Sequence, residues 1–242
     1  EMKLHIVENY EEASQLASQI MLDVIKNKPN AVLGLATGST PIRLYELLVK
    51  DHQENKTSYK DVQTYNLDEY FGLDITHPQS YYHFMYEHLF QYLDIQKDNI
   101  HVPKGTGDIE ENCKEYNEML KRNPVDIQLL GIGSNGHIGF NEPGTSFDSM
   151  THYIKLKEST RLDNARLFFD NNLDLVPTHS ITMGIKNIMD AKTALLIACG
   201  ENKAPAIKEI VEGRISTDCP ATALLNHPDF ILIIDKAAAK LI

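Results

Sequence analysis

His137 and Glu142 share the loop Gly131-Ile132-Gly133-Ser134-Asn135-Gly136-His137-Ile138-Gly139-Phe140-Asn141-Glu142-Pro143-Gly144. A histidine titrates near neutral pH, so it can accept a proton and return it. A carboxylate close by can orient the ring and favour its charged form. The plain alternative is an incidental histidine, one of ten in the chain. A second segment, Asn66-Leu67-Asp68-Glu69-Tyr70, sets two carboxylates side by side. On an extended chain adjacent side chains point to opposite faces, so at most one of Asp68 and Glu69 enters a cleft. A carboxylate is the usual base for removing a proton from a carbon beside a carbonyl. Taken alone, however, the segment reads more readily as a turn or a helix cap.

Two further sets of residues could hold an anion. In Ala36-Thr37-Gly38-Ser39-Thr40-Pro41, a turn ahead of a helix offers free backbone N–H groups at the positive end of the helix dipole. Gly38 allows close approach, and Ser39 and Thr40 add hydroxyl donors. An ordinary capped turn explains the same residues equally well. Lys203, in Gly200-Glu201-Asn202-Lys203-Ala204, falls where a helix begins. A cation is disfavoured there unless an anion joins it. Arg161 and Arg166 could each supply a forked contact, although most such cations are solvated surface charges.

Other chemistries fit poorly. Gly131-Ile132-Gly133-Ser134-Asn135-Gly136 has the Gly-x-Gly-x-x-Gly spacing of a dinucleotide site. That site needs a helix to start inside the motif. Gly139, Pro143 and Gly144 prevent one here, so no nicotinamide or flavin cofactor is expected. The histidines lack metal-ligand spacing, with no His-Glu-x-x-His and with His83 and His88 off a common helix face. Tyr81, Tyr82, Phe84, Tyr86, Phe90 and Tyr92 are explained by core and cleft-wall packing.

Alternating elements must position these groups. Leu4–Val7, Ala31–Ala36, Val62–Leu67, Ile127–Gly131, Thr193–Cys199 and Phe230–Asp235 read as strands. Helices are predicted from a box of Asn9 and Glu12 to near Pro29, and from Thr40 as cap with Pro41 as first helical residue. Others follow over Ser80–Leu93, Asn112–Lys121, Glu158–Phe169 and Lys203–Val211. Continuous apolar strands between helices imply an α/β fold, a doubly wound and mostly parallel sheet with helices on both faces. Ligands in such folds sit beyond the carboxyl ends of strands. That rule selects the loops Thr37–Thr40, Asp68–Gly72, Gly133–Gly144 and Gly200–Lys203.

The 242 residues, 42% hydrophobic and 24% charged, show no linker or repeat, so one domain over 1–242 is expected. No apolar run approaches the ~18 residues of a membrane span, and no signal-peptide pattern opens the chain. Cys113, Cys199 and Cys219 form no Cys-x-x-Cys pair, which fits a reduced, cytoplasmic setting. A net charge of −11 disfavours nucleic acid and anionic membranes as partners. A phosphate site would then have to be a local exception.

Together the segments resemble the glucosamine-6-phosphate deaminase family over nearly the whole chain. The resemblance rests on LGLATGSTP (Leu33–Pro41), NLDEYFGL (Asn66–Leu73), HPQSYYHFM (His77–Met85), GIGSNGHIGFNEPG (Gly131–Gly144), STRLDNARLFF (Ser159–Phe169) and GENKA (Gly200–Ala204), in the family's order and spacing. It implies a modified Rossmann-like fold shared with ribose-5-phosphate isomerase and 6-phosphogluconolactonase. It also implies conversion of glucosamine 6-phosphate to fructose 6-phosphate and ammonia, with no metal or organic cofactor. By the same resemblance Asp68 is the base between carbons 2 and 1, and His137 opens the sugar ring with Glu142 polarising it. Thr37, Gly38, Ser39, Thr40, Arg166 and Lys203 hold the phosphate.

Two departures stand out. Asn135 occupies a position where some members carry Asp, so it can hydrogen-bond but cannot be a base; it is kept as a site residue. The regulated members have basic residues after the FNEP loop and a longer C-terminal arm, whereas this chain reads Thr151-His152-Tyr153-Ile154 there and stops at Ile242. A monomer or small homo-oligomer is expected, without the allosteric hexamer. The rivals are a 6-phosphogluconolactonase or another sugar-phosphate isomerase of the same fold, and a non-catalytic sugar-phosphate sensor.

Overall fold

The computed structural model describes residues 1–242. From the N-terminus the chain runs β1 (Lys3–Val7), α1 (Tyr10–Asn27), β2 (Val32–Leu35), α2 (Ile42–Asn55), β3 (Gln63–Asn66), β4 (Asp68–Phe71), α3 (Tyr81–His88), β5 (Ile100–His101) and α4 (Ile109–Arg122). It continues through β6 (Ile127–Leu130), β7 (His152–Lys155), α5 (Glu158–Phe168), β8 (His179–Thr182), α6 (Ile185–Met189), β9 (Thr193–Ala198), α7 (Ala204–Val211) and β10 (Phe230–Asp235). Seven strands form one sheet in the order β1-β10-β9-β6-β2-β3-β5, every pair parallel. All six strands expected from sequence lie in it.

A strand buried on both faces must be apolar at every position, and alternate residues then serve opposite cores. In β10, Phe230, Leu232 and Ile234 enter one core, and Ile231 and Ile233 the other. β9 divides likewise, with Ala194 and Leu196 against Leu195 and Ile197. Tyr116 of α4, Ile185 of α6 and Ile207 of α7 close the first core, while Met21 of α1, Leu44 of α2 and Met85 of α3 close the second. No helix is long and apolar enough to cross a membrane.

Four expectations need correction. The stretch from Asp68, predicted as a loop, is strand β4 in a second, antiparallel sheet of order β4-β8-β7. Its members are four residues each and mix polar with apolar side chains (DEYF, HYIK and HSIT), too short for a clear period. The helix predicted over Ser80–Leu93 stops at His88, and a 3₁₀ turn covers Phe90–Tyr92. Thr40 does not cap α2: Pro41 occupies the N-cap with helical angles and no side-chain bond. Tyr10 serves instead, its Oη accepting the Arg43 N–H (3.2 Å) and donating to the Thr40 carbonyl (2.8 Å). In α1, Asn9 caps Glu12 N (2.9 Å), but Glu12 reaches back to Glu8 N (2.8 Å) rather than to Asn9.

Strand order reverses at β2, since β3 and β5 extend the sheet on one side and β6, β9 and β10 on the other. A crevice opens at such a reversal. Gly34 of β2 pairs there with Gln128 of β6, and a Cβ on Gly34 would collide with the buried Gln128 amide. Gly34→Ala should therefore destabilise the protein by about 1–3 kcal/mol, read as a lower urea midpoint. An unchanged midpoint would mean that Gln128 can swing aside.

Candidate active site

A cavity of about 630 Å³ lies over the carboxyl ends of β2, β3 and β6. The sequence-predicted residues Thr37, Gly38, Ser39, Thr40, Asp68, His137, Arg166 and Lys203 all line it. Asn135 and Glu142 do not; they stand behind His137, bonded to each other and, through Asn135, to the ring.

Two loops meet at the strand reversal. After β2, Tyr45 grips the end of the strand, its Oη accepting Ala36 N (3.1 Å) and donating to Ala36 O (2.5 Å). The turn then swings out through Gly38, whose φ of +97° suits glycine. The N–H groups of Gly38, Ser39 and Thr40 donate to no protein acceptor. Such N–H groups at a helix start are ready for an anion. After β6, the loop folds back with Gly136 N on Gly133 O and Gly133 N on His137 O, each at 2.9 Å. The imidazole then lies so close over Gly133 that any side chain there would collide with it. Asn141 pins the far end through Nδ2, which donates to Ile138 O (2.9 Å) and Met183 O (2.8 Å).

The environment of His137 fixes its chemistry. Asn135 Nδ2 donates to Glu142 Oε2 at 3.0 Å. A carboxylate only accepts, so the amide must face it with its NH₂ and turn its oxygen to the ring. That oxygen lies 2.8 Å from His137 Nδ1. Nδ1 therefore carries the hydrogen in the neutral ring, and Nε2 keeps a free lone pair. Burial lowers the imidazole pKa, opposed by the Glu142 charge and assisted by Lys203, which favours the neutral form.

Asp68 and Glu69 leave β4 on opposite sides. Asp68 faces the cavity and is nearly buried. Burial, and then the neighbouring Glu69, push its pKa up to about 8. A Cβ on Gly139 would stand 3.8 Å from Asp68 Oδ2, so the histidine loop and the aspartate converge. Glu69 turns toward α3, accepting N–H groups from Tyr70 (2.9 Å), Tyr81 (2.8 Å) and Tyr82 (3.1 Å). Burial raises it to about 7, against those donors. Sequence reasoning assigned Glu69 no partner, because the helix start it caps is remote in sequence. Its effect is to fix α3, whose Tyr81 stacks on Phe140 (6.2 Å, 10°) as a cavity wall.

The cations are unequal. Lys203 ends a 3₁₀ turn just before α7 and donates to Ile132 O (2.5 Å), half-buried beside the histidine loop. Burial lowers its pKa. Arg166 sits on α5 at the rim, exposed, 3.6 Å from Asp163. Arg161 is committed elsewhere, to Leu173 O (3.1 Å) and Val176 O (3.0 Å). Besides Arg166, α5 lines the cavity with Thr160, Asp163, Asn164, Leu167 and Phe168; these were missed, although the first four fall at i, i+3, i+4 and i+7, the signature of one helix face. No group of three or more His, Cys, Asp or Glu side chains gathers as a metal cluster. The arrangement can hold an anion at one end and move protons on and off carbon and oxygen at the other.

Asp68 also weighs on stability. Its carboxyl titrates higher in the folded chain than in the unfolded one, so the fold loses stability as pH rises from about 4 and stops losing it above about 8. Asp68→Asn should raise stability by on the order of 1–3 kcal/mol at pH 8, with the gain vanishing near pH 3. Thermal unfolding across pH measures this. A pH-independent difference would contradict the buried carboxyl.

Residues 7–232 match the family of glucosamine-6-phosphate isomerases and 6-phosphogluconolactonases. A glucosamine-6-phosphate deaminase of Thermoanaerobacter pseudethanolicus is 49% identical over 243 residues, covering 100% of this chain and 95% of the relative. A solved monomeric glucosamine-6-phosphate deaminase superposes with a TM-score of 0.96 at 46% identity, covering 100% of both chains. The 6-phosphogluconolactonase of Thermotoga maritima shares the fold at 18% identity, with a TM-score of 0.77 over 98% of this chain and 100% of that one.

Proposed function

The chain belongs to the family of glucosamine-6-phosphate isomerases and 6-phosphogluconolactonases, and from that membership we propose that it converts glucosamine 6-phosphate and water into fructose 6-phosphate and ammonia. The observation that carries this reading is the convergence of Asp68, His137, Lys203 and the free N–H groups after β2 on one cavity.

The substrate enters as a ring with its phosphate on the Thr37–Thr40 turn, Lys203 and the rim Arg166. The phosphate lies away from the reacting carbons, so its binding energy positions them. His137 Nε2 takes the proton of the anomeric hydroxyl and returns one to the ring oxygen, opening the ring to the aldehyde. Glu142 favours the transient imidazolium through its charge, and Asn135 holds the tautomer. Asp68 then removes the proton on carbon 2. In the empty cavity its raised pKa leaves it protonated near neutrality, but the substrate ammonium on carbon 2 draws it to the carboxylate. As the C–H bond at carbon 2 breaks, the aldehyde oxygen takes up the proton that the ammonium gives up, leaving an enolamine; this receives at carbon 1 the proton held by Asp68 and becomes an iminium at carbon 2. Water adds there, ammonia leaves, and the ketone of fructose 6-phosphate remains. No step calls on a metal or organic cofactor. Under the same reading the chain acts as a monomer or small homo-oligomer, a state supported by the monomeric relative at 46% identity.

Purified protein given glucosamine 6-phosphate should release ammonia and fructose 6-phosphate in equal amounts. A lactonase or a sensor would release no ammonia, and that result would end this proposal. Asp68→Asn should lower kcat by at least about 10³-fold while substrate still binds, as followed by coupled assay and calorimetry; near-normal turnover would remove Asp68 from its role. His137→Gln should slow the ring substrate and recover in part with an open-chain analogue. An equal deficit with both would count against ring opening by His137.

A further inference from the structure

The Glu142 carboxylate is nearly buried, and each of its oxygens has a directional partner. Oε2 accepts from Asn135 Nδ2 at 3.0 Å, and Oε1 accepts from Thr160 Oγ1 at 3.2 Å. Oε1 also lies 3.5 Å from His137 Nδ1, beyond a good hydrogen bond but close enough to compete for that N–H. The ring therefore has two possible acceptors, an amide oxygen at 2.8 Å and a carboxylate oxygen held slightly away. A direct carboxylate bond would strengthen the ring's hold on a second proton, whereas the amide leaves it neutral and ready to accept one.

We propose that the Thr160 hydroxyl is a positioning group for the proton relay: by holding Glu142 Oε1 it keeps the carboxylate off His137 Nδ1 and leaves that N–H to the Asn135 amide oxygen. The proposal rests on the deaminase reading for its kinetic consequence, though not for its geometry. Lys157 Nζ also approaches Glu142, at 3.7 Å, but it is half exposed and acts as an undirected charge. Thr160 is different because its hydroxyl is directional and its helix is built into the cavity wall. One turn along the same face of α5 stands Asn164, and Arg166 sits at the rim. The helix that offers a cation to the phosphate thus also sets the relay, so an α5 displaced from the cavity would loosen both at once.

The charged groups bearing on His137 are Glu142 and Lys157 behind the ring, Lys203 beside its loop and Asp163 on α5. Thr160→Val removes the hydroxyl at nearly constant volume and alters none of these charges. Two measurements test the proposal on the full chain. In ¹⁵N spectra of the ligand-free protein, wild-type His137 should show a bare Nε2, and Thr160→Val should titrate at a higher pH. Thr160→Ser should behave as wild type. In ammonia release from glucosamine 6-phosphate, Thr160→Val should lower kcat roughly tenfold with KM within about twofold, and Thr160→Ser should restore it. An unshifted His137 titration in the valine variant overturns the proposal, as does a serine variant as impaired as valine. If wild-type protein released no ammonia while the spectra behaved as stated, the deaminase reading would fall and the positioning role would stand.

Discussion

A parallel sheet whose strand order reverses at β2 cannot cover the carboxyl ends of its central strands, and that topological constraint determines the rest of the site. The connection from β2 departs to one side and that from β6 to the other, leaving a crevice where backbone N–H groups face solvent. Everything chemical is hung from its rims. The anion turn follows β2, the histidine loop follows β6, and Asp68 lies just past β3 where the chain bends into the second sheet. The two-sided apolar core fixes these strand ends, so the loops can carry left-handed glycines and unpaired donors without disturbing the fold.

Electrostatics divides the cavity. The whole chain carries a net charge of −11, which repels anions at long range. Any attraction for an anion must therefore be local, and the cavity offers unsatisfied N–H groups and a half-buried lysine for it, where water is partly excluded. At the other end two carboxylates are buried next to each other. Two N–H groups at the start of α3 and the Tyr70 N–H of β4 hold one of them, Glu69, nearer the usual range, while Asp68 is left without such donors and is raised further. One environment makes an anchor of Glu69, and the other leaves a high-pKa carboxyl facing the cavity.

The parallel sheet was legible because its strands are continuous apolar runs, and the site loops were legible because the strand-end rule selects them. The residues themselves were less so. Asp68 alone read as a cap, whereas Glu69 is the one that receives N–H groups at a helix start, beside the Ser80 cap of the helix that begins at Tyr81. The second sheet was hidden by strands of four residues, each with polar members. Tyr10 in place of Thr40 at the start of α2 is a contact between separate helices, which no local pattern encodes. Thr160 could have been found from the inward spacing of α5, but its bond to Glu142 depends on how that helix is seated.

The edge of the large sheet has a consequence for synthesis. β1 is made more than two hundred residues before its one neighbour, β10. Until Phe230–Asp235 has left the ribosome, the opening strand is an unpaired edge exposed to other nascent chains. A message interrupted shortly before Phe230 would encode every residue that lines the cavity, yet both cores would lack a strand they share, and β1 and β9 would be left as open, sticky edges.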